Sequence, residues 1–498
     1  MGKTGGSSRH LEAERKFDLP DDLPESLAPS FDGLSVVNGV ERMPTVWLEA
    51  LYFDTPAHDL ARHRVTLRRR TGGPDEGWHL KLPGADGAAR TEIRTPLQPD
   101  IPDELRDTVL AIVRDRPLLP VARISTARDL TVLYGADGVA VAEFCDDRVS
   151  ACPLPDSDPG AARQWREWEL ELRDATAADA GALLDRLTTR VLDAGATPAD
   201  HASKLARVLG DAALVASRAD PVHRAVADQI TRLLEADRAV RADADDAVHQ
   251  MRVATRQIRS LLQASEGAFG LTDDAWVLAE LRELAAVLGA ARDAEVLAER
   301  YRSALDLLPA ELVRGPVADR LVGGAWRRYR AGLRRSLTAM RSPRYFRLLD
   351  ALDALVITES QPDSAGHASL ASGFRAVRKA AKAAKAAKAA RTAGMAGTAE
   401  HDHAVHRIRK AAKRLRYLAA ATGAARVENR SKDVQTLLGE HQDSVVSRAH
   451  LLAAAGAAHA AGEDTFTYGL LYAREQQAAL DCERRLGGAL KALRKAVG

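Results

Sequence analysis

Between about Arg9 and Gly210 the chain runs in short apolar/polar alternations separated by Gly, Pro and Asp, the period-2 signature of β-strands. Eight strands are predicted, at Leu11–Asp18, Val46–Phe53, Val65–Arg70, Trp78–Leu82, Arg90–Leu97, Val121–Tyr134, Val139–Cys145 and Trp165–Leu172. Turn signals such as Thr71-Gly72-Gly73-Pro74 and Pro83-Gly84 argue for an antiparallel barrel or sandwich. Helical spacing interrupts the strands at about Ile101–Asp115 and Ala177–Ala194. After a short linker the period changes to 3.6 residues, in Ala/Leu/Arg-rich tracts that favour helix. The predicted class is α+β in two domains: an eight-stranded antiparallel barrel with flanking helices over 8–210, a linker at 211–220, and an all-α region over 221–493.

The first strand has its polarity inside out. Period 2 places Glu12, Glu14 and Lys16 on one face, about 6–7 Å apart in succession. Two carboxylates and an ammonium in a row suit a surface that holds a divalent cation and an anion together. Other strands repeat the pattern, with Arg68 and Arg70, His79 and Lys81, Glu92 and Arg94, and the row Glu167, Glu169 and Glu171. One such strand reads as a solvated face. Many strands, with acidic and basic rows segregated, read as a barrel with a charged interior, because a closed wet lumen lets them point charges at one place.

The helical half contains an internal repeat. Ala247–Leu261, with His249, Arg252, Arg256 and Arg259, is matched by Ala404–Leu418, with His406, Arg409, Lys413 and Arg416. A second echo pairs Leu288-Gly289 and Asp293 with Leu438-Gly439 and Asp443, although Gln442 stands where the first copy has Arg292. Two bundles in tandem follow, at about 221–350 and 373–493. Each histidine–arginine set spans an arc of about 80° on a helical wheel. Ala404–Leu418 carries Arg407, Arg409, Lys410, Lys413, Arg414 and Arg416 and no acid, so the stripe is an uncompensated site for a polyanion. Lys379, Lys382, Lys385 and Lys388, set in alanines, sweep half a helix and form a broad solvated or anion-attracting face.

Composition changes this picture little. The formal net charge is +2, so local charge matters more than the sum. Cys145, Cys152 and Cys482 form neither a disulfide framework nor a CxxC pattern, which fits a reducing compartment. No apolar run reaches the length of a membrane span. A cytoplasmic protein with no membrane partner is the expectation.

Glu12-Ala13-Glu14-Arg15-Lys16 matches the ExExK signature of CYTH domains, the triphosphate tunnel metalloenzymes. Tyr52-Phe53-Asp54-Thr55-Pro56, Leu67-Arg68-Arg69-Arg70, Trp78–Pro83, Trp168–Leu172 and Ser203-Lys204-Leu205 extend the resemblance over about 200 residues. The helical half resembles a CHAD domain, which implies paired four-helix bundles facing a basic channel that binds inorganic polyphosphate. The first resemblance implies that Glu12, Glu14, Glu169 and Glu171 hold Mg²⁺ or Mn²⁺. It implies that Lys16, Arg68, Arg70, Lys81, Arg94, Arg123 and Lys204 clamp triphosphate, with Glu12, Glu14 and Lys16 as the catalytic set. Glu143 and Asp147 are further acidic candidates, and Arg128 is read as an outer-face charge. The second implies polyphosphate binding by His249, Arg252, Arg256, Arg259, His406, Arg409, Lys413 and Arg416, and so association with polyphosphate granules.

The implied activity is metal-dependent hydrolysis of inorganic triphosphate to pyrophosphate and phosphate. The competing readings are a non-enzymatic polyphosphate-binding or targeting protein and a triphosphatase for an organic triphosphate, since thiamine triphosphatases and an adenylate cyclase class share the fold. No Trp or apolar cluster in the expected lumen calls for an organic ring. Nucleic acid is disfavoured as a partner, because the basic helices lack interleaved aromatics, with Tyr417 alone nearby.

Overall fold

Each of the eight predicted strands forms, and the first is split in two. β1 (Ser8–Glu12) and β2 (Glu14–Asp18) are joined by β3 (Gly39–Arg42), β4 (Val46–Asp54), β5 (Thr66–Thr71), β6 (Gly77–Pro83), β7 (Arg90–Thr95), β8 (Leu119–Tyr134), β9 (Ala140–Pro153), β10 (Arg163–Leu172) and β11 (Thr197–Pro198). This computed structural model describes residues 7–20, 23–24, 27–84, 89–154, 162–210, 221–264, 269, 275–357, 370–392 and 398–498. The predicted linker 211–220 and residues 358–369 between the repeats lie outside them. The chain divides into two compact units, Met1–Ser217 and Arg218–Gly498.

In the first unit the strand order is β1-β7-β6-β5-β4-β8-β9-β10-β2-β11, with β3 on β8. All pairings are antiparallel, and β1 and β2 are one run of chain interrupted at Ala13. Its first half pairs with β7 and its second with β10, so the two ends of the curled sheet meet in a single segment. α1 (Asp59–Arg62), α2 (Asp103–Thr108), α3 (Leu110–Val113), α4 (Ala180–Asp193) and α5 (Lys204–Leu209) complete the unit.

The alternation predicted from sequence sorts the two faces. On β10 the acidic row Glu167, Glu169, Glu171 points inward, while Trp168, Leu170 and Leu172 are buried against Leu184, Leu187 and Val191 of α4. Arg15 points to the same outer side, 2.6 Å from Asp185 of α4. One end of the interior is apolar. There Ala50, Tyr52, Ile124, Val149 and Ala151 are packed by Leu205 and Val208 of α5, so that helix stoppers the sheet and delivers Lys204 inward. Ser203 caps α5 by accepting from the Ala206 N–H at 3.1 Å.

The second unit is helical. Its first half holds α6 (Pro221–Arg241), α7 (Ala247–Ala264), α8 (Trp276–Asp306), α9 (Gly324–Ala339) and α10 (Pro343–Ile357). The second holds α11 (Leu370–Thr392), α12 (Thr398–Ala421), α13 (Ala425–Ala460) and α14 (Phe466–Val497). Apolar faces at helical spacing, such as Ala404, Val405, Ile408, Ala412, Leu415 and Ala419 of α12, are buried in the second core. The halves join where Tyr301 and Leu305 of α8 pack with Leu451 of α13 and Tyr468 and Leu471 of α14.

One glycine permits a close helix crossing. A Cβ on Gly332 of α9 would lie 2.7 Å from the backbone N and 2.8 Å from the Cα of Ala291 in α8. Gly332→Ala is expected to destabilise the helical unit by about 1–3 kcal/mol, the usual cost of overpacking, despite the better helix propensity of alanine. A urea midpoint equal to wild type would show that the helices separate freely.

Candidate active site and basic helix pair

The inward positions of nine strands and α5 line a cavity of ≈ 250 Å³. Glu12 comes from β1, Glu14 and Lys16 from β2, Arg68 and Arg70 from β5, Lys81 from β6, Arg94 from β7, Glu169 and Glu171 from β10, and Lys204 from α5. The carboxylates and cations interlock. Lys81 Nζ lies 2.6 Å from Glu12 and 3.8 Å from Glu14, and Lys16 Nζ lies 3.0 Å from Glu14 and also bonds Glu169. Lys204 Nζ sits among Asp147, Glu167 and Glu169 at 2.8, 2.7 and 2.8 Å. These three acids bring ligand atoms within 4.8 Å of one another, an arrangement able to hold a metal ion.

Charge is unevenly satisfied across the cavity. Burial pushes the Glu12 carboxyl up to about 7, with Glu92 and Glu171 adding to it and Lys81 opposing. Glu171 is also raised by burial, and it sits directly opposite Glu14 in the β10–β2 register. Facing like charges are destabilising unless a cation lies between them, and here Lys81 and Lys16 lie among Glu12, Glu14 and Glu169; among the described residues the acids whose ligand atoms group closely are Asp147, Glu167 and Glu169, not the predicted set Glu12, Glu14, Glu169 and Glu171. Glu14 itself, despite burial, is held down to about 2 by Lys16, Lys81 and Arg90.

On the opposite wall Arg68, Arg94 and Arg128 pair with carboxylates, and Arg70, which pairs with Asp75, is the exception in its titration. Burial and the neighbouring Arg68 and Arg128 guanidiniums depress Arg70 to about 9. A guanidinium so far below its ordinary value lies where an anion is favoured. Apolar side chains share this wall, since Val46, Leu48, Ala50, Ile124 and Leu130 line the cavity with one aromatic ring, Tyr52. The expectation of a lumen without an apolar cluster is therefore corrected.

In the helical unit α7 and α12 bring the repeated stripes together. His249, Arg252, Arg256, Arg259, His406, Arg409, Lys413 and Arg416 are all half-buried. Burial and the charges of Arg256, Arg409, Arg252 and Arg416 lower Lys413 to about 7, so cations of both copies converge on one ammonium. The second echo has a packing cause. Arg252 lies over Gly289, where a Cβ would meet its Nη1 at 2.6 Å, and Arg409 lies over Gly439 at 3.7 Å. Asp293 stands 3.6 Å from Arg252, and Asp443 acts on Arg409. Both histidines are lowered, His249 by burial and Arg292, His406 by burial, Lys410 and Arg409. Gln442 bonds His406 in the place that Arg292 takes beside His249.

A CYTH domain model matches residues 10–189 and a CHAD domain model matches 224–452. The uncharacterized proteins Rv2226 and MT2285 of two Mycobacterium tuberculosis strains are 57% identical over 510 residues, covering 98% of this chain and 98% of each relative. The chain belongs to the CYTH–CHAD family. Among solved structures, the CHAD domain of the plant Ricinus communis is 23% identical over 54% of this chain and 90% of its own (TM-score 0.38). PptA from Streptomyces chartreusis is 20% identical over 54% and 98% (TM-score 0.43). HpAC1 from Hippeastrum, described as having a dominant triphosphatase activity, is 17% identical over 40% and 95% (TM-score 0.25). CYTH proteins form a triphosphate tunnel enzyme family of metal-dependent triphosphatases and cyclases. No helix among the described residues is long and apolar enough to cross a membrane.

Within the CYTH cavity two arginines exchange roles relative to the sequence reading. Arg123 is exposed on the outer face of β8, whereas Arg128 points inward, 2.6 Å from Asp147 and 2.6 Å from Glu169. The two are five apart and so lie on opposite faces; the register that sets Arg128 against Asp147 decides which is inside. Glu92, fully buried, belongs to the site as well. It accepts from His79 at 3.0 Å, bonds Arg94, and lies 3.8 Å from Arg68 and 3.9 Å from Lys81. Its same-face spacing with Arg94 was the sequence signal for it. Burial holds His79 neutral, at about 4, despite Glu92. Glu143 lines the mouth, 3.0 Å from Arg173. Arg123→Ala is expected to leave turnover of a triphosphate near wild type, and Arg128→Ala to lower it about 10²-fold; steady-state kinetics with a phosphate-release readout compares them.

Proposed function

We propose that the CYTH domain hydrolyses inorganic triphosphate to pyrophosphate and phosphate with Mg²⁺ or Mn²⁺, and that the CHAD domain binds inorganic polyphosphate. The domains are taken as 8–210 and 221–493, and the setting as the cytoplasm and its polyphosphate granules. One observation carries the reading: a single small cavity draws Glu12, Glu14, Glu169 and Glu171 together with Lys16, Arg68, Arg70, Lys81, Arg94, Arg128 and Lys204. Glu12, Glu14, Glu169 and Glu171 would hold the metal ion, which neutralises charge on the transferred phosphoryl group. Arg68, Arg70, Arg94 and Arg128 fork onto phosphate oxygens, while Lys16, Lys81 and Lys204 act as point charges. Arg123 takes no part. The apolar strip Val46, Leu48 and Leu130 supports a second reading, a triphosphate with a small organic end.

A panel of tripolyphosphate, long-chain polyphosphate, ATP and thiamine triphosphate, run with each metal and with chelator, tests this. Phosphate release from tripolyphosphate that requires metal and is lost in Glu12→Ala is the expected result. Faster turnover of an organic triphosphate selects the second reading, and equal release from wild type and Glu12→Ala removes both.

Polyphosphate binding by the paired stripes has a proton signature. Burial and the neighbouring cations push Lys413 down to about 7, and a bound polyanion offsets the cations' share and raises it. At pH 8 the free side chain is mostly neutral and the bound one charged, so binding takes up a proton. Calorimetry in buffers of differing ionisation enthalpy is expected to show uptake approaching one proton, absent in Lys413→Met.

A further inference from the structure

One carboxylate that lines the CYTH cavity does not come from the sheet. Asp75 sits in the β5–β6 turn, over 72–76, whereas Glu12, Glu14, Glu92, Glu143, Glu169 and Glu171 all stand on strands. Two glycines at φ +81° let the turn lie against β4, since a Cβ on Gly72 would fall 2.2 Å from the Trp47 carbonyl oxygen and one on Gly73 2.9 Å from the Leu48 side chain. Pro74 then restricts the approach to Asp75. The turn thus presents its carboxylate at a set place, and there it pairs with Arg70 of β5. Arg70 is 5% exposed, and its Nε makes no hydrogen bond.

Arg68, on the same face of the same strand, is matched more loosely. Its carboxylate partner among the described residues is Glu92, 3.8 Å away, which also serves His79, Lys81 and Arg94. Arg68 donates to the Tyr52 phenol oxygen at 3.3 Å, and Tyr52 packs at the end that α5 closes. In the β4–β5 register Tyr52 stands opposite Arg68 and Ala50 opposite Arg70, so β5 leads away from that end to the turn. Asp75 and Pro74 therefore lie at the open end, with Val46, Leu130 and Glu143. Charge there cancels in pairs, Arg70 with Asp75 and Arg173 with Glu143 at 3.0 Å.

We propose that Asp75 is a specificity-determining residue that limits the CYTH site to short phosphate chains, which rests on the triphosphatase reading above. Because α5 closes one end, the extra phosphate of a longer chain must stand at the mouth. Arg70 keeps its Nε–H for the last phosphate of a triphosphate. One phosphate more meets a carboxylate fixed by its turn and a guanidinium already neutralised by it. Two anions brought together in a half-buried site repel with less screening than in water, and such a repulsive element rejects the longer competitor without new contacts to the shorter one.

Phosphate release by the full-length protein from tripolyphosphate and from tetrapolyphosphate, at saturating Mg²⁺ or Mn²⁺ and with kcat and KM taken separately, tests this. Wild type is expected to favour tripolyphosphate about tenfold in kcat/KM, mostly through KM. Asp75→Asn, which keeps the size and removes the charge, is expected to bring the ratio close to unity, chiefly by lowering KM for tetrapolyphosphate. Asp75→Glu is expected to keep the preference. Added KCl should erode the wild-type preference by screening and leave the ratio of Asp75→Asn where it is. The salt series on wild type decides the matter even where circular dichroism shows Asp75→Asn to be misfolded. Equal preference in wild type and Asp75→Asn, or a wild-type preference that salt does not change, overturns the role of Asp75 and leaves the triphosphatase reading standing. Loss of tripolyphosphate turnover in a folded Asp75→Asn also overturns it, by placing Asp75 in the reaction itself. Turnover of neither substrate by wild type overturns both.

Discussion

A Lys204→Met variant is expected to lose about 3–5 kcal/mol of the CYTH domain's stability at pH 7, the scale on which removing one member of a buried ion cluster destabilises a fold. Its ammonium is the shared partner of Asp147, Glu167 and Glu169, all buried. Without it Glu169 retains Lys16 and Arg128, and Asp147 retains Arg128, but Glu167 keeps only the Trp165 indole N–H, at 2.5 Å. The sign of the pH effect follows. Burial opposes ionisation of Asp147 and Glu169, but Arg128, Lys204 and, for Glu169, Lys16 outweigh it and hold both below their ordinary 3.8 and 4.5. In wild type their stabilisation is present above those values and fades as pH falls through the depressed ones. In the variant the carboxyls protonate earlier, and protonated they no longer miss the ammonium, so the gap to wild type narrows towards about pH 4. Urea unfolding between pH 7 and 4 measures it. A gap that is absent, or that widens on acidification, would sink the assignment. Glu167→Gln added to Lys204→Met is expected to restore part of the loss.

Turnover of tripolyphosphate by Glu14→Gln is expected to fall about 10²–10³-fold, the cost of losing one group that manages charge in a transition state. The amide is isosteric and keeps a hydrogen-bonding oxygen for Lys16, so the unfolding midpoint should move much less than for Lys204→Met. Phosphate release at saturating Mn²⁺ and at limiting Mn²⁺ separates the two contributions. A loss rescued wholly by excess metal assigns Glu14 to ion binding alone, and near-normal turnover at limiting metal would remove it from the site.

Strand phase was legible wherever charge alternated strongly. Glu12, Glu14 and Lys16 could be set on one face of the first strand, and Glu169 and Glu171 on one face of the last, because apolar positions with outer partners stand between them, as Phe17, Leu170 and Leu172 do. β8 offered no such guide. Its inward face mixes Ile124, Thr126, Arg128 and Leu130, since part of the interior is stoppered by α5, and Arg123 is just as plausible by composition. Only pairing with β9, a tertiary fact, fixes which arginine enters. β3 and β11 were too short to stand out, and the break at Ala13 reflects closure of the sheet, which no local propensity encodes. In the helical half the repeat gave the stripes directly, and the glycine–arginine packing explains why Leu-Gly and Asp recur with them.

The run Ser8–Asp18 also has a place in time. Its first half must find Arg90–Thr95 and its second Arg163–Leu172, the latter about 150 residues away. Such distant pairings are slow to form, because loop closure precedes any gain from contact. On a ribosome this strand emerges before β10 and waits, unpaired on one side, until β10 has been made. The segment bearing Glu12, Glu14 and Lys16 is thus the clasp of the sheet, and its charged residues keep an early-exposed strand soluble until the lumen exists around them.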